Sequence, residues 1–386
     1  MFYDFPDWLR LTLAIAVAMV IAFASTPIVK TFAQRVGAMD VPKDARRMHD
    51  HAIPRMGGLA IFLGFIISTL LFVPIDTPMK GVLIGSVIIV AAGAVDDIVA
   101  LNAWVKLFFQ VVAACVAVSQ GVVIQVVTSP NLFSEAYLFL GWLSIPLTIL
   151  WIVAVTNSVN LIDGLDGLAC GVSAISSVTM LVVAMLVSES SIAVILAALA
   201  GACLGFIPYN LNPAKIFMGD TGSQLLGYLL ATVSVMGLFK FYALFTFAVP
   251  LLALAFPLLD TTFAFVRRIL HGQSPFHPDR GHLHHRLIDM GLNQKQAVAV
   301  LYAVSAVMGL VAVVAATTGA TKMALFIIAV ALALIVGAYI VRAYEHHEHE
   351  LHDAAAKRRG GVPEDTLTFP AIKSDGEKED GDSEKN

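Results

Sequence analysis

The segment Asn157-Ser158-Val159-Asn160-Leu161-Ile162-Asp163-Gly164-Leu165-Asp166-Gly167 sets two amides and two carboxylates between two long apolar runs. Amide and carboxylate oxygens are what a hard divalent cation such as Mg²⁺ takes as ligands; they also pair with the edge of a nucleobase. The two Asp-Gly steps favour a turn. A single Asp-Gly turn is commonplace, but Asn-x-x-Asn followed by a doubled Asp-Gly is not. The adjacent carboxylates Asp96 and Asp97 close another apolar run, and Lys106 follows ten residues after Asp96. Ionised groups at the end of a membrane helix are costly. A carboxylate pair there is typical of a divalent-metal and phosphate site, where the cation offsets the repulsion; a helix-end cap is the plainer alternative.

Three further segments carry polar chemistry. Gly219-Asp220-Thr221-Gly222-Ser223 precedes an apolar run and offers a carboxylate together with small residues whose backbone N–H groups can face an anion. A simple N-cap by Asp220 or Ser223 is the other reading. Between Arg280 and Arg286 stand His282, His284 and His285, a cationic and hydrogen-bonding cluster suited to phosphates. Zinc is the rival there, but neither a Cys nor a His-Glu-x-x-His accompanies it. The stretch from Asp40 to Gly58 holds His49, a set of Lys and Arg residues that membrane topology alone would explain, and the pair Gly57-Gly58, which lets a ligand or helix come close to the backbone. Asp260, inside an apolar run, either pairs with Arg267 or Lys106 or shapes the site.

The elements that must position these residues are membrane helices. Of 386 residues, 58% are hydrophobic and 13% charged, against about 45–50% and about 25% in soluble domains. Ala343 to Asn386 holds 18 of the 52 charged residues, leaving 34 for the first 342. So few charges cannot coat a soluble globule, which excludes a soluble enzyme, a nucleic-acid binder and a disordered scaffold as descriptions of the whole chain. The apolar runs are long and continuous rather than short and alternating, so the expected class is all-α and polytopic, not a barrel. Eleven spans are expected, at 9–30, 57–75, 80–95, 104–127, 138–157, 168–187, 191–210, 222–239, 241–266, 296–318 and 321–342. With the N-terminus outside, 20 of the 24 Lys and Arg residues fall on the inner side with all 11 histidines. The C-terminus is then cytoplasmic, and every polar segment above faces the cytoplasm. Two domains follow: a transmembrane body over 1–345 and a charged, disordered tail over 346–386. Cys115, Cys170 and Cys203 sit in apolar runs without metal-ligand spacing and read as packing residues. No internal repeat suggests an alternating-access carrier.

Over roughly residues 10–345 the chain resembles the polyprenyl-phosphate N-acetylhexosamine-1-phosphate transferases, glycosyltransferase family 4. The resemblance rests on Pro54-Arg-Met-Gly-Gly58, Val95-Asp-Asp97, Asn157-x-x-Asn160-x-x-Asp163-Gly-x-Asp166-Gly, Gly219-Asp-x-Gly-Ser223 and His282-x-His-His285. The best match is the bacterial branch that acts on UDP-N-acetylglucosamine. The phospho-MurNAc-pentapeptide branch, the alternative, usually carries three consecutive histidines where Leu283 interrupts them here. A CDP-alcohol phosphatidyltransferase would need an Ala-Arg after its first Asp-Gly, which is missing. A non-enzymatic transporter or lipid-binding protein is the rival from another class.

The resemblance implies transfer of a sugar 1-phosphate from a UDP-sugar to undecaprenyl phosphate in the bilayer of the bacterial inner membrane. UMP is released and a cell-envelope polysaccharide, such as an O-antigen of lipopolysaccharide, is begun. Mg²⁺, or Mn²⁺ in its place, is the implied cofactor, with Asn160 and Asp220 as its ligands. Asp96, Asp97, Lys106, His284 and His285 form the implied catalytic set: Asp96 as base or positioner for the acceptor phosphate, Asp97 in support, Lys106 on a donor phosphate. His49, Asn157, Asp163, Asp166, His282 and Arg286 form the implied substrate-binding set. No nucleic acid is expected as a partner, and a homodimer is compatible with the family.

Overall fold

The computed structural model describes residues 5–41, 51–128, 137–187, 189–238, 248–270 and 282–317. The architecture is helical: α1 (Asp7–Val36), α2 (Gly58–Phe72), α3 (Thr77–Val99), α4 (Ala103–Ser119), α5 (Ser144–Leu161), α6 (Leu168–Leu186), α7 (Ser190–Asn210), α8 (Gly219–Val233), α9 (Ala248–Ala253), α10 (Ala255–Leu270), α11 (Leu283–Asp289) and α12 (Gln294–Thr317). Two small antiparallel hairpins interrupt it. Strand β1 (Met39–Asp40) pairs with β2 (Ile53–Pro54), and β3 (Val126–Thr128) with β4 (Tyr137–Phe139).

Local signals set the helix ends. The Asp76 carboxylate accepts from Met79 N–H (2.9 Å) to cap α3, with Pro78 in its first turn. The Asn102 amide oxygen does the same for α4 through Trp104 N–H (3.0 Å). These caps satisfy donors that a helix start leaves without partners. Gly37, at φ +78°, closes α1 in the left-handed conformation that glycine adopts without strain.

Helix α7 is buried almost continuously from Ile192 to Cys203, as expected of a helix that is apolar all round and central. It packs on α1 at Gly201 and Gly205, which lie against the α1 backbone at Ile15 and Met19. Helix α8 is buried from Thr221 to Val233 and sits among α2, α3 and α5. Large apolar side chains meanwhile stand exposed on outer faces, with Ile28 at 71% and Phe263 at 70%. Aqueous solvent penalises such faces and hydrocarbon does not. Six of the described helices, at Asp7–Val36, Thr77–Val99, Gly141–Leu161, Leu168–Leu186, Ser190–Asn210 and Gln294–Val314, are long and apolar enough to cross a membrane. The protein is thus an all-α, multi-pass membrane protein.

The expected spans differ from the helices in instructive places. The span expected at 80–95, short enough to be tilted or to extend past Asp97, does extend, to Val99, so Asp96 and Asp97 lie in the last turns of α3. The span expected at 104–127 ends as a helix at Ser119, and the β3–β4 hairpin occupies the approach to α5. Apolar composition continued past the helix end because residues of the connection between α4 and β3, such as Val122 and Ile124, are buried and apolar too. The region expected to span 241–266 breaks between α9 and α10 at Leu254. The span expected at 321–342, the tail over 346–386 and His49 lie outside the described residues.

Candidate active site

The site begins with a backbone zipper between two segments far apart in sequence. Phe217 N–H donates to Pro54 O (2.8 Å), Gly57 N–H to Phe217 O (2.9 Å) and Gly58 N–H to Met218 O (2.9 Å). Helix α8 thereby starts against α2 and α3 at backbone contact distance. A Cβ on Gly93 would lie 2.6 Å from Thr221 Cα, and one on Gly58 2.6 Å from the Thr221 carbonyl carbon. Only glycine fits, and the fit brings the first turn of α8 onto the carboxylates at the end of α3.

Asp97 is the hub of that junction. Its carboxylate accepts from Asp220 N–H (2.9 Å), Thr221 N–H (3.1 Å), the Thr221 hydroxyl (2.6 Å) and Arg55 Nε–H (2.9 Å), with Arg55 Nη2 also 2.9 Å away. Its side chain has no exposed surface. Two of the N–H groups that a helix start leaves open are therefore satisfied by an anion placed where the helix dipole favours one. Asp96 has Lys106 Nζ 2.6 Å from Oδ2 and Leu101 N–H donating to Oδ1 (2.5 Å), and its carboxyl also contacts that of Asp220. Asp220 projects between the two cations: its Oδ2 lies 3.2 Å from Arg55 Nη2 and 3.4 Å from Lys106 Nζ. Its Oδ1 accepts from Asn160 Nδ2 (2.6 Å), which also donates to Ser223 Oγ (2.7 Å). Those contacts use the Asn160 amide nitrogen, and its oxygen has no hydrogen-bond donor among the described residues.

A cavity of about 490 Å³ opens beside these groups, a size suited to a small-molecule ligand. Arg55, Lys106, Asn160, Asp163, Asp166, Asp220, Ser223, His285 and Gln294 line it. Asp163 makes no side-chain hydrogen bond or ion pair among the described residues. Burial, followed by the negative charges of Asp220 and Asp97, pushes it up to about 8. Asp166 is used structurally as well: it accepts from Asn212 Nδ2 (3.0 Å) and Ala214 N–H (3.0 Å) and so ties the Asp-Gly turn to the segment before α8. Asn212 in turn donates to Gln294 at the start of α12 (2.7 Å).

The histidines sit at different depths. His282 Nδ1 lies 2.8 Å from Asp260 Oδ2, and Leu283 N–H donates to Asp260 Oδ1 (2.7 Å). Asp260 therefore anchors the start of α11, the site-shaping role that stood as the alternative to pairing with Arg267 or Lys106. The His284 ring stacks on His282 at 5.7 Å and lies over Gly164. It is buried, and burial together with neighbouring His285 holds it down at about 4, so it is neutral at pH 7. Its Nδ1 is buried without a partner among the described residues. His285, 4.3 Å from His284, reaches the cavity wall.

Of the expected site residues, the structure gathers Lys106, Asn160, Asp163, Asp166, Asp220 and His285 around the cavity, with Asp96 and Asp97 directly behind it. Asn157 lies off to one side, bonded to Gln110 (2.6 Å), which in turn donates to Gln224 (3.1 Å). His282 and His284 form the support behind His285, and Arg286 is exposed on α11. Sequence reasoning missed Arg55, Ser223 and Gln294 as lining residues. For Arg55 the signal was present, an Arg directly before Met-Gly-Gly, but the charge bias of inner loops explained it away.

The oxygen-rich donor set fits Mg²⁺. Asp163 and Asp220 bring two carboxylates, Asn160 an amide oxygen and Ser223 a hydroxyl; Asp40 and Asp166 also line the cavity, and among the described residues Arg55 and Lys106 are the Arg and Lys side chains that line it. Among the described residues no three His, Cys, Asp or Glu side chains form a ready-made metal cage. Mg²⁺ suits such a site because it usually takes one or two carboxylates and completes its shell with water and substrate phosphates.

Residues 79–238, from α3 to the turn after α8, match the family described as Glycosyl transferase family 4. Over 330 residues, 85% of this chain and 91% of the relative, the sequence is 40% identical to a protein of Bacillus subtilis named "Probable undecaprenyl-phosphate N-acetylglucosaminyl 1-phosphate transferase". It is 36% identical over 313 residues, 74% of this chain and 77% of the relative, to the decaprenyl-phosphate N-acetylglucosaminephosphotransferase of Mycobacterium tuberculosis. A third relative, the undecaprenyl-phosphate alpha-N-acetylglucosaminyl 1-phosphate transferase of Thermotoga maritima, is 34% identical over 269 residues, 69% of this chain and 78% of the relative.

Proposed function

The chain belongs to glycosyl transferase family 4, and from that premise we propose that it transfers N-acetylglucosamine 1-phosphate from UDP-N-acetylglucosamine to undecaprenyl phosphate, releasing UMP. The observation that carries the reading is the meeting of Asp220, Asn160, Asp163 and Lys106 at one cavity, although they come from three separate segments. Both substrates are anions, and their approach is the first barrier such a site must lower.

In this reading an oxygen of the acceptor phosphate attacks the sugar-bearing phosphorus of the donor. One phosphoanhydride forms as another breaks, and the electron pair leaves on UMP. A phosphate monoester with a second pKa near 6 is mostly dianionic at neutral pH, so the attacking oxygen needs no base. That accords with Asp96, whose two oxygens are committed to Lys106 and Leu101 N–H: it positions Lys106, and Lys106 holds a donor phosphate. Asn160 and Asp220, joined by Asp163, would hold Mg²⁺, which supplies charge neutralisation of the diphosphate. Asp166 keeps the Asp-Gly turn in place on the nucleotide side, and His285 faces the sugar or its phosphate with neutral His284 behind it.

The surrounding assignments follow from the same reading. Eleven spans, an outside N-terminus and a cytoplasmic C-terminus put this cavity on the cytoplasmic face of a bacterial plasma membrane, where a nucleotide sugar is available and an isoprenoid tail can stay in the bilayer. The catalytic body extends over 1–345, and the tail over 346–386 has no part in the chemistry. The product would start a cell-envelope polysaccharide. The decisive experiment incubates the purified full chain with undecaprenyl phosphate, Mg²⁺ and either UDP-N-acetylglucosamine or UDP-MurNAc-pentapeptide, and follows UMP. Release with the first donor alone is expected. Release with the pentapeptide donor alone would move the chain to the other branch, and release with neither would end the transferase reading.

A further inference from the structure

We propose that Arg55 is a phosphate-binding residue of this site, a second fixed cation working beside Lys106. The inference rests on the reading that the substrates are phosphates. Three observations carry it. The first is how the side chain is held. Arg55 Nε and Nη2 both lie 2.9 Å from Asp97 Oδ1, and Nη2 lies 3.2 Å from Asp220 Oδ2. Nε and Nη2 of the guanidinium are thus held by two carboxylates. The second is what remains. Nη1 has no acceptor among the described residues, the side chain is 25% exposed, and Arg55 lines the cavity. With Nε and Nη2 fixed, Nη1 offers its N–H donors to the cavity, and a phosphate oxygen is a strong charge-assisted acceptor for them. The third is the rigidity of its root. Arg55 N–H donates to Ala38 O (2.9 Å), and the residue bridges to Phe217 in the zipper that seats α8. Since Arg55 and Lys106 flank the same oxygen of Asp220 from 3.2 and 3.4 Å, an anion beside Asp220 would meet both.

Two phosphates could take this position, the donor diphosphate and the acceptor monophosphate, and the test separates them. Full-chain protein in detergent with Mg²⁺ is prepared as wild type, Arg55→Gln and Arg55→Lys. The affinity for UDP-N-acetylglucosamine is measured by calorimetry without acceptor, so that no turnover occurs, and KM for undecaprenyl phosphate is measured in the turnover assay. Arg55→Gln should weaken donor affinity tenfold or more if the donor diphosphate sits here, or raise the acceptor KM tenfold or more if the lipid phosphate does. Arg55→Lys, which keeps the charge and a counter-ion for Asp97 but loses the fork, should recover part of the loss and gives a folded comparison if the glutamine variant fails to fold. A positioning role acting only through Asp97 and Asp220 would lower kcat and thermal stability while leaving donor affinity and acceptor KM within twofold of wild type, and that result in either folded variant overturns the proposal. Absence of UMP release from the wild type would instead sink the reading on which it rests.

Discussion

Replacing Asp97 by Asn tests whether this carboxylate holds the site together or takes part in the reaction. Asn keeps the size and exchanges one acceptor oxygen for an NH₂ group. If the amide nitrogen takes the place of Oδ1, it faces Asp220 N–H and the Arg55 guanidinium; if it takes the place of Oδ2, it faces Thr221 N–H, although the Thr221 hydroxyl can turn to accept. Either way at least one buried backbone donor is left without a partner, at about 1–3 kcal/mol, and Arg55 loses its closest counter-charge. Breaking a buried pair by removing one charge costs about 3–5 kcal/mol, which we take as the expected loss. For a chain of this size that corresponds to a fall in thermal midpoint on the order of 5 °C. Turnover should fall by about a hundredfold as well, because α8 carries Asp220 and a shift near 1 Å is enough for that loss. Asp220→Asn is the control. Arg55 keeps Asp97 and Lys106 keeps Asp96, so stability should stay within about 1 kcal/mol, while turnover falls by orders of magnitude and the Mg²⁺ concentration needed for residual activity rises. Thermal unfolding in detergent and UMP release with increasing Mg²⁺ measure both. An Asp97→Asn protein as stable as wild type but inactive would refute the hub and return Asp97 to a direct catalytic role.

Gly58→Ala places a methyl group against the Thr221 and Gly222 backbone, so an overpacking cost of about 1–3 kcal/mol and at least a tenfold loss of turnover should appear together in the same two assays. Asp163 stands near 8 against an ordinary 3.8; the folded state holds its proton longer, so this group's contribution to stability is full below pH 3.8 and is lost as pH rises through 8. Thermal midpoints in a chelator should therefore show wild type losing ground to Asp163→Asn across that window, with Mg²⁺ restoring the difference. His284, held near 4 against 6.5, works in the opposite direction: its neutral form stabilises above pH 6.5, and that is lost as pH falls towards 4, by up to about 3 kcal/mol. A His284→Gln protein should lack this acid-side loss in the same scan. For orientation, a single cysteine at Ser190 should react with an impermeant reagent from outside, and one at His284 or Asp163 should not; outside labelling of the last two would overturn the cytoplasmic site.

The parts of the site that were legible in the sequence are those where a polar residue contradicts its surroundings. Asp96, Asp97, Asn160, Asp163 and Asp220 each interrupt an apolar run, and an ionised or amide side chain there needs a reason. Arg55 has no such contrast. It stands among other basic residues of an inner loop, and its meaning depends on Asp97 and Asp220, 42 and 165 residues away in sequence. Asp260 was visible as an anomaly, but its partner was not, since the identity of the nearest donor depends on where α11 begins. Helix ends were legible where a cap marks them, as at Asp76 and Asn102. They were not where an apolar hairpin follows the helix, as after Ser119, because hydropathy reports burial and not backbone pairing.

The close seating of α8 explains how a membrane bundle can carry this much charge without collapsing into mispaired ions. Four carboxylates within one region would repel strongly if mobile, and two long cationic side chains could choose among them. The choice is removed by backbone geometry. Gly58 and Gly93 let α8 approach until the N–H groups of Asp220 and Thr221 reach Asp97, which commits Asp97 to the helix start and draws Arg55 to it. Asp96 is committed to Leu101 N–H and Lys106. The acids facing the cavity include Asp220, shared between two cations, and Asp163, which makes no ion pair among the described residues. The unbalanced charge is therefore confined to the one place where a divalent cation and phosphates would enter. The dipoles around it are set by packing before any ligand arrives, and such a site does not have to reorganise as charge moves during the reaction.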